Sequence, residues 1–351
     1  MGIRIGKRVR WIEVLLKETA LDTKPLITVG LPVYNAMPYL PEAMESLLAQ
    51  TSRRFEILAI VDGATDASLE YLRSIRDERL RILTQTNQGV AATLNRLLAE
   101  CRTPWLVRQD ADDVSHPERI GRLMEAIAAA PEAGMFYSLA NYHPRGQSVG
   151  RFRCSRGTPG ELRAIVTDGY LLSICHPTVA LHVEKTRALG GYRLGLHNED
   201  ADLWWRMALA HSIHCIPEEL VGFRQNATSV SARHLQEQMT AALYVQYLLL
   251  SHLTKRAPRP FDAIREQLGQ LLGPTRLRAK ERLRSVNMAL AQGRFLRAGA
   301  AFAASALASP GYVLERLRDE FAPAGRIVNG IAPRIFFEQQ EALWHSRPRF
   351  H

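Results

Sequence analysis

From Leu26 to about Asn141 the chain repeats one unit. A short apolar run is followed by a polar break, then by a stretch with apolar residues at three- and four-residue spacing. The runs "LITVGLPVYN" (26–35), "FEILAIVDG" (55–63), "LRILTQ" (80–85), "PWLVRQDADD" (104–113) and "AGMFYSLANY" (133–142) predict five strands. The intervening "YLPEAMESLLAQ" (39–50), "SLEYLRSIRD" (68–77), "GVAATLNRLLAEC" (89–101) and "PERIGRLMEAIAAA" (117–130) predict four helices. The strands are apolar along their length, as strands covered on both faces are. Regular alternation of this kind predicts an α/β fold: a mostly parallel, Rossmann-like sheet with helices on both faces. Open sheets of this class bind ligands beyond the carboxyl ends of their strands. Residues 32–35, 62–66, 85–89 and 110–113 are therefore expected to converge on one edge. After about residue 235 the texture becomes helical with no clear strand. There, residues 285–310 read as two amphipathic helices around Gly293, stopped by Pro310. The expected division is an N-terminal extension (1–25), an α/β domain (26–235) and a helical C-terminal region (236–351).

Composition changes this picture little; charge changes it more. The 351 residues are 46% hydrophobic and 23% charged, an ordinary globular balance that can fill a large core. Residues 1–235 hold 28 Lys or Arg against 26 Asp or Glu, whereas residues 236–351 hold 17 against 9. Almost all of the +10 net charge thus belongs to the C-terminal region. Such an excess suits an anionic membrane surface, nucleic acid or an anionic glycan, or is simply a solvated helical face. Without aromatic residues interleaved in a basic stripe, a nucleic-acid partner is not expected. Cys101, Cys154, Cys175 and Cys215 are far apart and form no CxxC pair, as in a reduced, cytoplasmic protein. The apolar runs at 241–250 and 300–308 fall short of the ~20 residues that span a bilayer. The first residues make a poor signal peptide, because Glu13 and Lys17 interrupt the apolar part.

One stretch asks for chemistry. "LVRQDADDVSH" (106–116) ends a strand in Asp110, Asp112 and Asp113. Carboxylates packed that closely repel unless solvent or a cation neutralises them. The stretch is either a polar turn or a site for Mg²⁺ or Mn²⁺, which take oxygen ligands from one or two carboxylates and substrate phosphates.

The stretches "ITVGLPVYN", "SLLAQTSRRFEILAIVDGATD", "NQGVAATLN", "DADD" and "NEDADLWWR" resemble, in order and spacing, the successive motifs of family 2 glycosyltransferases with the GT-A fold. The resemblance covers roughly residues 26–231. It implies that Tyr34 stacks on a nucleotide base and that Asp62 contacts the base. It places Pro32, Asn35, Asn87, Gly89 and Asp110 around the nucleotide, and a divalent metal (Mn²⁺ or Mg²⁺) on Asp112 and Asp113. It also implies that Asp200, paired with Glu199, is the catalytic base. Three departures stand out. Val61 replaces a first Asp, Ala64 replaces the usual Ser, and Asn226 in "FRQNATSVS" stands where a metal-binding His often lies. The QxxRW signature of processive synthases is absent, which points to transfer of single sugars.

Duller readings compete at several positions. Tyr34 can be a strand-end aromatic on the core, and Asp66 a helix cap. Trp204 and Trp205, at helical spacing, suit the core better than sugar stacking, and His176 and His197 have no assigned role. "DADDV" also fits the DxDx[TV] pattern of haloacid-dehalogenase-like phosphatases, but those place it on an early strand and here it ends the fourth. A degenerate module that binds nucleotide or glycan without turnover is a further alternative. The favoured expectation is a metal-dependent, inverting glycosyltransferase of the hexosyl type. It would move a sugar from a nucleotide-diphosphate donor (UDP-sugar favoured) to a glycan or lipid-linked acceptor in surface polysaccharide synthesis. Its place would be the cytoplasm or the inner membrane face, reached through the basic 236–351 region.

Overall fold

A computed structural model describes residues 25–143, 152–224, 235–272, 293–321 and 327–344, with scattered helical positions between 278 and 290. Four strands begin the fold: β1 (Ile27–Val33), β2 (Phe55–Asp62), β3 (Leu80–Gln85) and β4 (Trp105–Arg108). They alternate with helices α1 (Leu40–Leu48), α2 (Ser68–Ser74) and α3 (Val90–Glu100). All four strands are parallel, in the order β3-β2-β1-β4, with Val33 opposite Val61 and Asp62 opposite Gln85. This register aligns their carboxyl ends on one edge, as the alternation predicts. Period-2 geometry sorts β2 onto two cores: Ile57, Ala59 and Val61 face one cluster, Leu58 and Ile60 the other. β3 closes the sheet on that side and is only half-buried.

The rest of the sheet departs from the expected pattern. After the two-residue β5 (Val114–Ser115) and helix α4 (Arg119–Ala129), strand β6 (Met135–His143) does not lie beside β4. Between them runs β8 (Val179–His182), antiparallel to both. β9 (Ile213–Arg224) then pairs parallel with β6 and antiparallel with β5, giving the order β3-β2-β1-β4-β8-β6-β9-β5. Neither β8 nor β9 announces itself. β8 has only four residues, and β9 is interrupted by Pro217, Glu218 and Glu219, where its register with β6 slips. Proline cannot donate to a ladder, so the strand yields there to an irregularity. Between β6 and β9 lie α5 (Pro159–Thr167), β7 (Leu171–Leu172), α6 (Val183–Ala188) and α7 (Glu199–Ala210).

The C-terminal region comprises α8 (Leu235–Leu253), α9 (Phe261–Leu272), α10 (Phe295–Ala308), α11 (Pro310–Phe321), α12 (Pro333–Glu338) and α13 (Gln340–Trp344). Pro310 does not merely stop α10; it opens α11, where a first-turn proline loses no helical hydrogen bond. A short strand, β10 (Val328–Asn329), pairs with β7, so the region is not strand-free. Packing crosses residue 235, since Val245 and Leu249 of α8 share a core cluster with Leu97, Leu203 and Trp204. No helix among the described residues is long and apolar enough to cross a membrane.

Candidate active site

At the β1 end the backbone turns sharply. Tyr34 is 55% exposed, so it does not pack on the core, and Asn35 adopts φ +45°. The Asn35 Oδ1 accepts from the Thr65 N–H (2.8 Å) and the Asp66 N–H (3.3 Å), fixing the β2–α2 turn. Asp66 accepts from the Ser68 N–H at the start of α2 and from the Met37 N–H (both 3.0 Å), so it ties the β1 loop to α2, whose N-cap position is Ala67.

Asp62 is buried at the end of β2. Its Oδ1 accepts from Gln85 Nε2 and the Gln88 N–H (both 2.8 Å), and its Oδ2 from the Gly89 N–H (2.9 Å). In this state the carboxylate holds the loop that precedes α3. Gly63 has φ +67°, and a Cβ there would lie 2.6 Å from the Asn87 backbone nitrogen, so the two loops touch only because residue 63 is glycine. Asn87 and Gly89 are exposed, and Pro32 is half-buried near the end of β1.

The acidic loop is anchored by cations. Arg108, buried at the end of β4, donates to Asp110 Oδ1 (2.6 Å) and to the Gln109 carbonyl (2.7 Å). Arg119, wholly buried at the start of α4, donates to Gln109 Oε1, Ser115 Oγ and the carbonyls of Arg108 and Pro177. From the far end of β9, the Arg224 N–H donates to Asp113 Oδ1 (2.7 Å) and its Nε to the Asp112 carbonyl (2.8 Å). Its guanidinium also pairs with Glu42 and lies over the Tyr39 ring. Asp113 is buried, with one oxygen given to β9 and Oδ2 left without a partner. Burial and then Asp110 push Asp112 up to about 6, and burial with both neighbours holds Asp113 well above the usual carboxylate range.

Glu199 and Asp200 open α7 on the opposite bank, where Asn198 takes φ +70°. Both sense the charges of Arg108 and Asp110, so the fold brings them to the acidic loop. Burial, then Asp200, pushes Glu199 up to about 7, and burial raises Asp200. The fully buried Asp202 pairs with Arg206 (2.7 Å) and Arg193 (2.8 Å), and Arg206 donates to the Leu189 and Gly191 carbonyls, which holds the turn before α7. Asn95 of α3 clasps Tyr192 twice, accepting its N–H (2.8 Å) and donating to its carbonyl (2.7 Å). His176, half-buried, packs against Tyr192 and Trp204, and desolvation and Arg108 keep its imidazole neutral. Trp204 and Trp205 are both buried and offer no surface for stacking. His197 is exposed, and Asn226 lies outside the described residues.

Residues 28–185 match the profile described as Glycosyl transferase family 2. Over that segment, just under half of its length, the chain is similar to this family. EpsE of Bacillus subtilis is 29% identical over 198 residues, which cover 53% of this chain and 68% of EpsE. The glycosyltransferase GlyG of Streptococcus pneumoniae is 32% identical over 130 residues, covering 36% of this chain and 42% of GlyG. The chain thus spans about two thirds of the first relative and less than half of the second. Among solved structures, residues 1–349 of S. aureus TarS in complex with UDP-GlcNAc align with TM-score 0.51 at 16% identity, covering 79% of this chain and 90% of that one. The mannosyltransferase PcManGT of Pyrobaculum calidifontis, in complex with GDP-Man and Mn²⁺, aligns with TM-score 0.50 at 16% identity over 86% and 82%. These two likenesses bear on the fold, which is GT-A-like.

The acidic loop offers carboxylate oxygens, the donor type that a hard divalent cation takes. Burial first, and neighbouring carboxylates second, raise Asp112 and Asp113. Yet among the described residues no group of three or more His, Cys, Asp or Glu could hold a metal ion by itself. A cation held there would need phosphate and water oxygens to complete its shell, as is usual for Mg²⁺. The fold also supplies residues that sequence reading passed over: Arg108, Arg119, Arg224, Asn95 and Asp202. Asp202 and Arg206 stand four apart on a helix, a pairing visible in the sequence. Arg108 reaches Asp110 two residues on, whereas Arg119, Asn95 and Arg224 reach partners 58, 97 and 182 residues away, which nothing local marks.

Proposed function

We propose that the protein transfers a single sugar, with inversion, from a nucleotide-diphosphate donor to a hydroxyl of a glycan or lipid-linked acceptor. The donor is a UDP-sugar, and the product belongs to surface polysaccharide synthesis at the cytoplasmic membrane face. The observation that supports this reading is that the charges of Arg108 and Asp110 act on both Glu199 and Asp200. Tyr34, exposed at the β1 end, offers a ring to the base, with Pro32, Asn35, Asn87 and Gly89 around the nucleotide. Asp62 serves the base directly or through the loop that it holds. Asp112 and Asp113, next to Asp110, would hold Mn²⁺ or Mg²⁺, which when bound neutralises the diphosphate leaving group. Asp200 takes the acceptor hydroxyl proton, and the raised carboxyl of Glu199 keeps a second proton site beside it. A single base on the face opposite the leaving group gives single displacement and inversion.

A thermal-shift screen of nucleoside diphosphates with and without Mn²⁺ tests the donor side. UDP-selective, metal-dependent stabilisation is expected, and stabilisation indifferent to both excludes this reading. Asp200→Asn tests the acceptor side: turnover should fall by about 10²–10⁴ with nucleotide binding unchanged. A wild-type protein that binds nucleotide but never turns over any sugar nucleotide would instead be the binding module.

A further inference from the structure

The C-terminal region contains a helix built inside out. In α10 the side chains turned inward are small: Ala298 and Ser305 are buried, Ser305 donating to the Ala279 carbonyl (2.9 Å), with Val313 of α11 buried alongside. The large apolar side chains are left exposed, Leu296 and Leu307 on the opposite face and Phe295 at the head of the helix. Leu296 is 93% exposed, Leu307 87% and Phe295 71%, with Phe302 exposed too and Leu314 of α11 65% exposed. At 100° per residue, Leu296 and Leu307 share the face of α10 opposite Ala298 and Ser305, and Phe295 and Phe302 border the buried stripe, interleaved with glycine and alanine. No charged residue occurs from 298 to 309. A monomer in water does not ordinarily leave such a face open.

Its surroundings say what covers it. Residues 273–309 hold seven Lys or Arg and one acidic residue, Glu281. Arg278, Arg282, Arg294 and Arg297 are exposed, and Arg294 and Arg297 line an open groove with Phe295 and Leu296 at the head of the helix. An apolar face rimmed by arginines at one end matches an anionic bilayer, whose headgroups meet the cations while the acyl boundary receives the apolar side chains. A second copy is a poorer match, because a two-fold contact would set two strongly positive segments against each other. The helix has 14 residues, about 21 Å, so it lies in the interface and does not span it.

We propose that the α10–α11 hairpin is the membrane-docking element of this protein, inserting Phe295, Leu296 and Leu307 between anionic lipids. The proposal deepens the membrane-face location given above and does not depend on the transfer reaction. The test is co-sedimentation of the full chain with vesicles of phosphatidylcholine, alone or with about 30% phosphatidylglycerol. Binding is expected only to the anionic vesicles. The double substitution F295S/L296D should weaken it at least tenfold, and R294E/R297E by about 25-fold at low salt, at roughly fivefold per cation. All four positions are exposed, so circular dichroism and melting should match the wild type. Equal binding by F295S/L296D overturns the proposal, as does absence of wild-type binding. Concentration-dependent self-association abolished by F295S/L296D, with no lipid binding, assigns the face to a second copy instead. The UDP–Mn²⁺ thermal shift, read on the same samples, separates the two readings: vesicle binding without that shift leaves this proposal standing and removes the transferase.

Discussion

Asp62→Ala separates two roles for one carboxylate. If Asp62 only meets a nucleotide base, its removal leaves the empty protein untouched. The structure gives it three donors: Gln85 Nε2, the Gln88 N–H and the Gly89 N–H, all between 2.8 and 2.9 Å. A hydrogen bond to a charged acceptor contributes about 1.5–3 kcal/mol. Gln88 and Gly89 are exposed, so water recovers part of two of the three bonds. We expect a net loss of about 2–4 kcal/mol, or a fall of roughly 5–10 °C in Tm for a domain of this size. The assay is thermal melting without nucleotide, combined with amide hydrogen exchange at residues 88 and 89, whose protection should collapse. Nucleotide affinity should fall as well, because the loop carrying Asn87 and Gly89 is released. An unchanged melting curve and unchanged protection at both amides, with nucleotide binding lost, would refute the loop-holding role and leave a base contact alone.

Four further outcomes are expected. Gly63→Ala forces a Cβ toward the Asn87 nitrogen and strains a left-handed residue, so nucleotide affinity should drop about tenfold by isothermal titration with a loss of stability near 1–2 kcal/mol. Asp202→Asn strands two guanidinium groups, one of them buried, and should cost about 3–5 kcal/mol in urea denaturation; a change under 1 kcal/mol would mean the pair is dispensable. Glu199 is raised in the folded state, so the stability linked to its proton is fully present at low pH and is lost as pH climbs from about 4.5 to about 7. Glu199→Gln should remove that component, and denaturation midpoints of variant and wild type at pH 5 and 7.5 that move in parallel contradict the assignment. Asp112→Ala should abolish Mn²⁺-dependent stabilisation by UDP, and full transfer activity in EDTA would rule out the metal role.

The first half of the fold was legible because its signals are local. Each of β1 to β4 is a short apolar run followed by an amphipathic helix, and the ends of such strands must share an edge once the sheet is parallel. β8 and β9 were not legible, since one is four residues long and the other is broken by Pro217 and two glutamates. Their partners are chosen by tertiary packing, not by pattern. The site divides in the same way. Tyr34, Asp62, Asp112 and Asp200 stand in short motifs. Arg119 and Arg224 are solitary arginines in the sequence, and burial alone gives them their place in the acidic loop.

The bond from Arg224 to Asp113 spans 111 residues, and the one from Arg224 to Glu42 spans 182. Contacts of such separation close late in folding, and a chain made from its N-terminus exposes strands β1 to β4 well before residue 224 exists. Until β9 docks, the acidic loop has the anchors Arg108 and Arg119 but lacks the Arg224 clamp on Asp112 and Asp113. Competence is therefore the last property the domain acquires. A truncated or half-made chain carries nearly every recognisable motif and none of the arrangement that makes them act together.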